Sequence, residues 1–292
     1  MTDRLAVGIV EENRIVGAVH RFPDSDDPFS SFQGMPVDEI TAHIREQIEL
    51  VAGGTPLAAV GVGMPGYVRN GIIEESPNLL QMKGLAVHSA ICEALRQRNP
   101  GIRVTVSNDA DAVAAGIAAT RGQLDRLIRV WTLGNGIGFG RYPAAEGVWE
   151  GGHTVVTLDP KETYCGCGGV GHLEGIMGHR AMRLRFLDME PDEVFEEAKA
   201  GDARCCDFVK LWHRALAAGT ASSIHMDGPG RFYLTGQNAR FVDSSLLHVY
   251  MSEMVKMSPL QGYTFDVVPG GEDIAIIGAA VHAIHSLETS PV

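Results

Sequence analysis

His153, Cys165, Cys167 and His172 fall within twenty residues, in the order histidine, eleven residues, Cys-x-Cys, four residues, histidine. Two thiolates and two imidazoles match tetrahedral Zn²⁺, and four protein ligands leave no open position, so a metal held there would be structural. The intervening GCGGVG is rich enough in glycine to bend a short chain around an ion. Cys-x-Cys replaces the Cys-x₂-Cys of a standard finger, so a pair of incidental thiols on a loop is the competing reading. Zinc acting as a catalyst is disfavoured by the filled ligand set.

The other cysteines, Cys92, Cys205 and Cys206, lie in helical patterns and read as small buried hydrophobes. Five cysteines in a chain of 292 residues argue against a disulfide framework. That length suits two lobes, and 45% hydrophobic with 21% charged residues is the composition of a folded, soluble chain. A formal charge of −12 leaves no basic stripe for a phosphate backbone, since clusters such as Arg121 to Arg129 are short and interrupted. Nucleic acid is therefore not an expected partner. No run of about eighteen apolar residues occurs, and the opening MTDRLAVGIVEENRIVG lacks the features of a signal peptide. The expected location is the cytosol, with no membrane partner.

The elements that must position the candidate ligands alternate between strand and helix. LAVGIV and RIVGAVHRF flank a polar turn and predict a β-hairpin. Pro36 to Ala52 carries Ile40, Ile44, Ile48 and Val51 at helical spacing and stops at Gly53 and Gly54. LAAVGVGMPG predicts a buried strand running into glycines, followed by a helix over Leu85–Arg98, the strand RVTVSND and a helix over Ala110–Thr120. A second series begins with RLIRVWTLG, the turn GNGIG and the strand FGRY. Helices follow over Leu173–Leu187, Pro191–Ala200 and Ala203–Ile224, then RFYLTG, a helix over Ser244–Val255, GYTFDVV and a last helix over Ile274–Ser286. The pattern predicts an α/β chain with a smaller lobe over 1–107, completed by a C-terminal helix at 273–290. A larger lobe over 108–272 would carry the loop 150–174, with a hinge near Asn108 and ligands bound where strand ends meet.

The company this loop keeps is specific. Glu150, Gly152 and His153 spell ExGH, and Cys165 to Glu174 spell CxCGxxGHxE. GVGMPG at 61–66, SPNL at 76–79, VSNDADAV at 106–113 and TLGNGIGFG at 132–140 fall in matching order. Together these resemble the ROK family of sugar kinases and related repressors, whose usual form is ExGH followed by CxCGxxGCxE. His172 stands at the place of the third cysteine, which keeps a competent zinc ligand while changing its softness and charge.

The resemblance implies the two-lobed actin-like ATPase, hexokinase-type (ribonuclease H-like) fold. It also implies ATP-dependent phosphorylation of a hexose or N-acetylhexosamine, at the 6-hydroxyl, by a homodimer using ATP with Mg²⁺ and a structural Zn²⁺. A sugar hydroxyl is a poor nucleophile, so the reaction needs a carboxylate to accept its proton, and Asp109 is the candidate base. An Asx cap for the helix beginning at Ala110 is the plain alternative for that residue. Asn78, Asn108, Asp109, Glu150, His153 and Glu174 form the expected sugar-binding set, with His153 serving both metal and substrate. Solvated surface charge is the alternative for Glu150 and Glu174. The turn of Gly134, Asn135, Gly136 and Gly138 would aim backbone amides at phosphate, although a plain hairpin uses the same residues. Gly236, in LTGQNA where the family has LGGGV, would face the adenosine.

One departure divides the functional expectation. The family's kinases begin with a DxGGT loop associated with Mg²⁺ and phosphate, and this chain has none, because alignment places Met1 inside that motif. Either the true start lies upstream or the phosphate site is degraded, and the alternative to a kinase is a non-catalytic sugar-binding or regulatory protein. The repressor branch is disfavoured, since no helix-turn-helix precedes the domain.

Overall fold

The computed structural model describes residues 4–23, 32, 34–76, 79–96, 99–144 and 150–289. The chain forms two compact units. The first comprises Met1–Ile128, Gly140–Glu146 and Gly271–Val292, and the second Arg129–Phe139 and Gly147–Gly270.

In the first unit, β1 (Leu5–Glu11) pairs antiparallel with β2 (Arg14–Phe22) through the turn Glu12–Asn13. Both turn residues have positive φ, 49° and 61°, the conformation whose twist matches that of a two-residue hairpin. β3 (Ala59–Met64) pairs in parallel with β6 (Arg103–Asn108), and β4 (Tyr67–Arg69) pairs antiparallel with β5 (Ile72–Glu75). The helix α1 (Val37–Ala52) buries Ile40, Ile44 and Ile48, one stripe at a spacing of four, and ends where Gly53 turns left-handed. α2 (Val87–Leu95) buries Val87, Ile91 and Leu95 in the same core. It starts later than expected because Leu85 is already engaged, its carbonyl accepting from Ile73 N–H and its own N–H reaching Met82.

The expected division at 107/108 is not the one the structure makes, and Asn108 lies inside the first unit rather than at a hinge. The reason is α3 (Asp109–Thr120), an alanine-rich helix that packs along α9 (Glu272–Thr289) with the backbones in direct approach. A Cβ on Gly278 would stand 1.6 Å from Ala112 O, and one on Gly116 would stand 1.9 Å from Ile274 O. α9 approaches β3 as closely, since a Cβ on Gly61 would meet Ala279 O at 1.9 Å. Contacts this tight place α3, α9 and β3 in one unit, which the C-terminal segment from Gly271 rejoins.

The second unit is built on a sheet in the order β10-β9-β7-β8, from β7 (Ile128–Leu133), β8 (Ile137–Tyr142), β9 (Arg231–Thr235) and β10 (Thr264–Val267). β9 and β10 run parallel. The long helix α7 (Ala203–Asp227) is capped by Asp202, whose carboxylate accepts from Cys205 N–H, and runs one turn beyond the expected end before Gly228. α6 (Pro191–Ala200) and α8 (Ser244–Met254) pack on α7. The core is aromatic: Trp131 and Trp212 are fully buried, and each indole N–H is satisfied, by Thr220 Oγ1 at 3.0 Å and Met177 O at 3.3 Å.

The single helix expected over Leu173–Leu187 is two, α4 (Leu173–Met177) and α5 (His179–Arg185), because Gly178 is extended at φ −62° and ψ 139°. Extension there lets His179 N–H reach Gly134 O at 2.9 Å. Among the described residues no helix is long and apolar enough to cross a membrane.

Candidate sugar and metal site

The loop carrying ExGH is seated by its glycines. A Cβ on Gly152 would stand 1.9 Å from Ile137 O, and one on Gly151 would stand 2.5 Å from Phe139 Cβ, so the chain lies directly on β8 and ends in a 3₁₀ turn at His153. The return segment is held by Val156 N–H to Gly171 O, Gly171 N–H to Glu162 O and Leu173 N–H to Thr154 O. Glu162 accepts a two-pronged contact from Arg185, with Nη1 to Oε1 at 3.0 Å and Nη2 to Oε2, and the guanidinium lies 4.4 Å from the Tyr164 ring centre. That pair is nearly out of water, with side chains 17% and 10% exposed, and it fixes the loop to α5.

These contacts bring His153, Cys165, Cys167 and His172 together, with all four ligand atoms within 4.8 Å of one another. Cys165 Sγ lies 3.4 Å from His153 Nδ1 and 3.3 Å from Cys167 Sγ, and Cys167 Sγ lies 3.2 Å from His172 Nδ1. A tetrahedral Zn²⁺ with ordinary bond lengths needs edges of about 3.8 Å between sulfurs and about 3.5 Å between sulfur and nitrogen. The three sulfur contacts lie within about half an ångström of those edges, and the widest separation, up to 4.8 Å, closes to them by about 1 Å of side-chain movement. Burial pushes the Cys165 thiol up to about 12; a backbone hydrogen bond at Cys167 opposes this, and the Glu174 and Cys167 charges add to it. Burial also lowers the pKa of His172, followed by the neighbouring His153, with Glu174 acting the other way. A buried thiol and a neutral imidazole are what a divalent cation converts into ligands.

His153 turns Nδ1 toward this cluster and Nε2 toward Glu150, whose Oε2 is 4.0 Å away. Glu174, one residue into α4, is half-buried and used at both oxygens. Oε2 accepts from Ile137 N–H at 3.1 Å, and Oε1 accepts from the Cys165 thiol at 3.4 Å. Surface charge is not its setting.

The glycine turn at Gly134 to Gly136 is a tight loop in which Gly134 N–H donates to Gly136 O at 3.0 Å, while Gly138 continues into β8. Gly136 must lack a side chain, because its Cβ would meet Glu174 Oε2 at 2.5 Å. Asn135 is exposed and accepts from Gln237 Nε2 at 3.5 Å. Gly236 has φ 94°, and a Cβ there would stand 2.5 Å from Leu133 O, so close approach to β7 accounts for this glycine.

In the first unit, the Asx cap of α3 falls to Asn108, not to Asp109. Asn108 Oδ1 accepts from Ala110 N–H at 2.8 Å and Asp111 N–H at 3.4 Å, and its Nδ2 donates to Gly66 O at 2.8 Å. Asp109 is the first residue of the helix. Gly66 sits at φ 99° with no room for a Cβ, which would be 2.2 Å from Glu75 O, and Ser76 Oγ donates to Pro65 O at 3.1 Å. Asn78, in the same segment, lies outside the described residues.

Two groups escaped the reading of the sequence. Asn238 is fully buried, its Nδ2 donating to Gly134 O at 3.2 Å and Met177 O at 3.3 Å, with Oδ1 3.2 Å from His179 Nδ1. It pins the glycine turn at Gly134, three residues before the amide that Glu174 holds. An amide directly after LTGQ, in a segment otherwise ready for burial, was the signal available. The Arg185–Glu162 pair had none, because the two residues are separated by 23 positions and lie on different elements.

Comparison with known proteins follows the same outline. A glucokinase of Pyrobaculum calidifontis is 28% identical over 264 residues, covering 84% of this chain and 85% of that one. A ROK hexokinase structure from Thermus thermophilus superposes with TM-score 0.79 at 22% identity, covering 99% and 97% of the two chains. A ROK family glucokinase structure from Streptomyces griseus, in complex with glucose and AMPPNP, superposes with TM-score 0.70 at 22% identity, covering 97% and 96%. The fold is that of the actin-like ATPases of hexokinase type. The ROK family model matches residues 3–283, nearly the whole length, and the chain belongs to the ROK family.

Proposed function

We propose that this protein is a sugar kinase, transferring the terminal phosphoryl group of ATP, as its Mg²⁺ complex, to the 6-hydroxyl of a hexose or N-acetylhexosamine. The observation that carries the sugar side is His153, with one ring nitrogen turned to the Cys/His cluster and the other to Glu150. A structural zinc on His153, Cys165, Cys167 and His172 would fix that tautomer and hold Nε2 ready for a hydroxyl. Glu150, His153 and Glu174, with Asn78 and Asn108, are the groups for the sugar. Asn108 has its Oδ1 occupied as a helix cap and one amide hydrogen on Gly66 O, which leaves the other amide hydrogen for that role.

Asp109 serves as the base that takes the hydroxyl proton, since the capping role that would otherwise explain it belongs to Asn108. The Gly134 to Gly138 turn, with Gly236, is the part assigned to the nucleotide phosphates and adenosine. Relatives bearing the name glucokinase support the reaction class. The protein works in the cytosol, and its expected assembly is a homodimer.

The test is release of ADP from ATP with a panel of hexoses and N-acetylhexosamines, alongside calorimetric sugar binding. Asp109→Asn should remove turnover and keep sugar affinity within about twofold of wild type, because the amide still hydrogen-bonds but takes no proton. Sugar binding across the panel with no ADP release from the wild-type chain would refute phosphorylation.

One observation favours the second reading, sugar binding without catalysis. The chain's Gly-Gly-Thr, at Gly53 to Thr55, ends α1. A helix C-terminus presents carbonyl oxygens and the negative end of the dipole, which repel phosphate. The same assay separates the two readings.

A further inference from the structure

We infer that Glu174 is a positioning residue for the glycine turn as well as a sugar contact, so that the metal-ligand loop sets the geometry of the phosphate site. The inference rests on the kinase reading for its consequence, not for its geometry.

Four observations within the second unit carry it. Glu174 Oε2 accepts the amide of Ile137, the first residue after Gly136, at 3.1 Å. The turn fits this carboxylate so closely that a Cβ on Gly136 would lie 2.5 Å from it. The residue after Glu174 lies directly on the metal-ligand loop, since a Cβ on Gly175 would lie 2.9 Å from Cys165 N, so the carboxylate is tied to the loop through the backbone whether or not Cys165 carries a proton. The start of the turn is held by other groups, with Asn238 Nδ2 and His179 N–H donating to Gly134 O. Glu174 is therefore one of two braces on the loop assigned to phosphate, and it is the brace that joins that turn to the metal-ligand loop.

An amide bound by a carboxylate is held more firmly than one bound by a neutral acceptor, and losing the acceptor frees the turn to sample other conformations. A residue that only touched sugar would leave nucleotide affinity unchanged when replaced. A brace would not.

The experiment compares wild type, Glu174→Gln and Glu174→Ala by amide hydrogen exchange at Gly134 to Gly138, without ligand, and by AMPPNP affinity in the absence of sugar. Glutamine keeps an oxygen that can accept from Ile137 N–H, whereas alanine keeps none. Alanine should speed exchange across the turn and weaken AMPPNP on the order of tenfold, while glutamine stays within about twofold of wild type in both. Sugar affinity falls in both variants, since both lose the carboxylate charge. Unchanged exchange in the alanine variant, or equal loss of AMPPNP affinity in the two variants, overturns the brace. Faster exchange in the alanine variant, together with no AMPPNP binding by wild type, keeps the mechanical brace, overturns its assignment to a phosphate site and counts against the kinase reading.

Discussion

The seam where α9 lies against α3 and β3 and the loop from Glu150 to Glu174 are held by opposite means. The seam exists because side chains are missing: Gly61, Gly116 and Gly278 let backbone meet backbone at distances no Cβ permits. The loop exists because particular side chains are present, four around a metal position and an Arg185–Glu162 pair behind them. A seam of that kind tolerates no addition. A loop of that kind tolerates no removal, and its failures come in parts rather than all at once.

The largest expected effect is therefore a single methyl group in the seam. Gly278→Ala should lower unfolding free energy by on the order of 4 kcal/mol, because the new Cβ would overlap Ala112 O and neither helix can yield without parting from the other. Urea unfolding measures this, with Gly262→Ala as the control, since nothing lies within 4 Å of a Cβ there. A change under about 1 kcal/mol at Gly278 would mean that α9 is not held as closely as described.

On the loop, removing the metal ranks next. Freshly purified protein should carry one zinc per chain, and chelation should cost about 3 kcal/mol, the linkage expected for a site loaded a few hundredfold above its Kd. Cys165→Ser should lose the zinc and the same stability. Protein with no zinc by elemental analysis would leave the cluster as thiols and imidazoles on a loop and remove His153 from any metal role.

The loop's second support should fail more mildly. Glu162→Gln leaves Arg185 without its charged partner, a loss of about 2 kcal/mol for a pair this sheltered, with the cation still stacked on Tyr164. If the two supports are independent, combining Glu162→Gln with chelation should give the sum of the single losses within about 0.5 kcal/mol. A clear excess would show that zinc and ion pair hold one unit.

The same contrast explains how far the sequence could be read. The loop was legible because its chemistry is carried by rare residue types at fixed spacing, and Cys165, Cys167, His153 and His172 do meet in the structure. Ile40, Ile44 and Ile48 were legible for a similar reason, since a helical stripe repeats every four residues. The seam was not. An alanine-rich helix shows no amphipathic stripe when it is buried on every side, so α3 gave no sign that it belonged with the C-terminal helix, and the division was placed one helix too early. Gly116 and Gly278 read as helix weaknesses until the opposing backbone is seen. The break at Gly178 was illegible too, because its cause is Gly134, 44 residues earlier. Asp109 and Glu174 were singled out by the motifs around them, whereas the assignment of the helix cap to Asn108 rather than Asp109 needed the cap geometry.

The smallest effect returns to the seam and concerns pH. His282 on α9 lies with Nε2 3.4 Å from Asp111 O on α3, edge-on to the Tyr142 ring, and half-buried. Burial lowers its pKa below the ordinary 6.5, the Asp111 carbonyl opposes that shift, and the nearby His285 adds to it. Above pH 6.5 the imidazole is neutral in both folded and unfolded chains and contributes no slope. As pH falls through that value the unfolded chain takes up a proton that the folded seam refuses, so stability drops, and it levels off only below the lowered folded pKa. One proton bounds the slope at about 1.4 kcal/mol per pH unit. His282→Gln should flatten this part of a urea-midpoint profile between pH 5 and about 6.5, and chelating the loop's metal beforehand should leave the His282 contribution in place. A profile unchanged by the substitution would mean that the seam does not keep this imidazole from its proton, and that its tightness ends at the glycines.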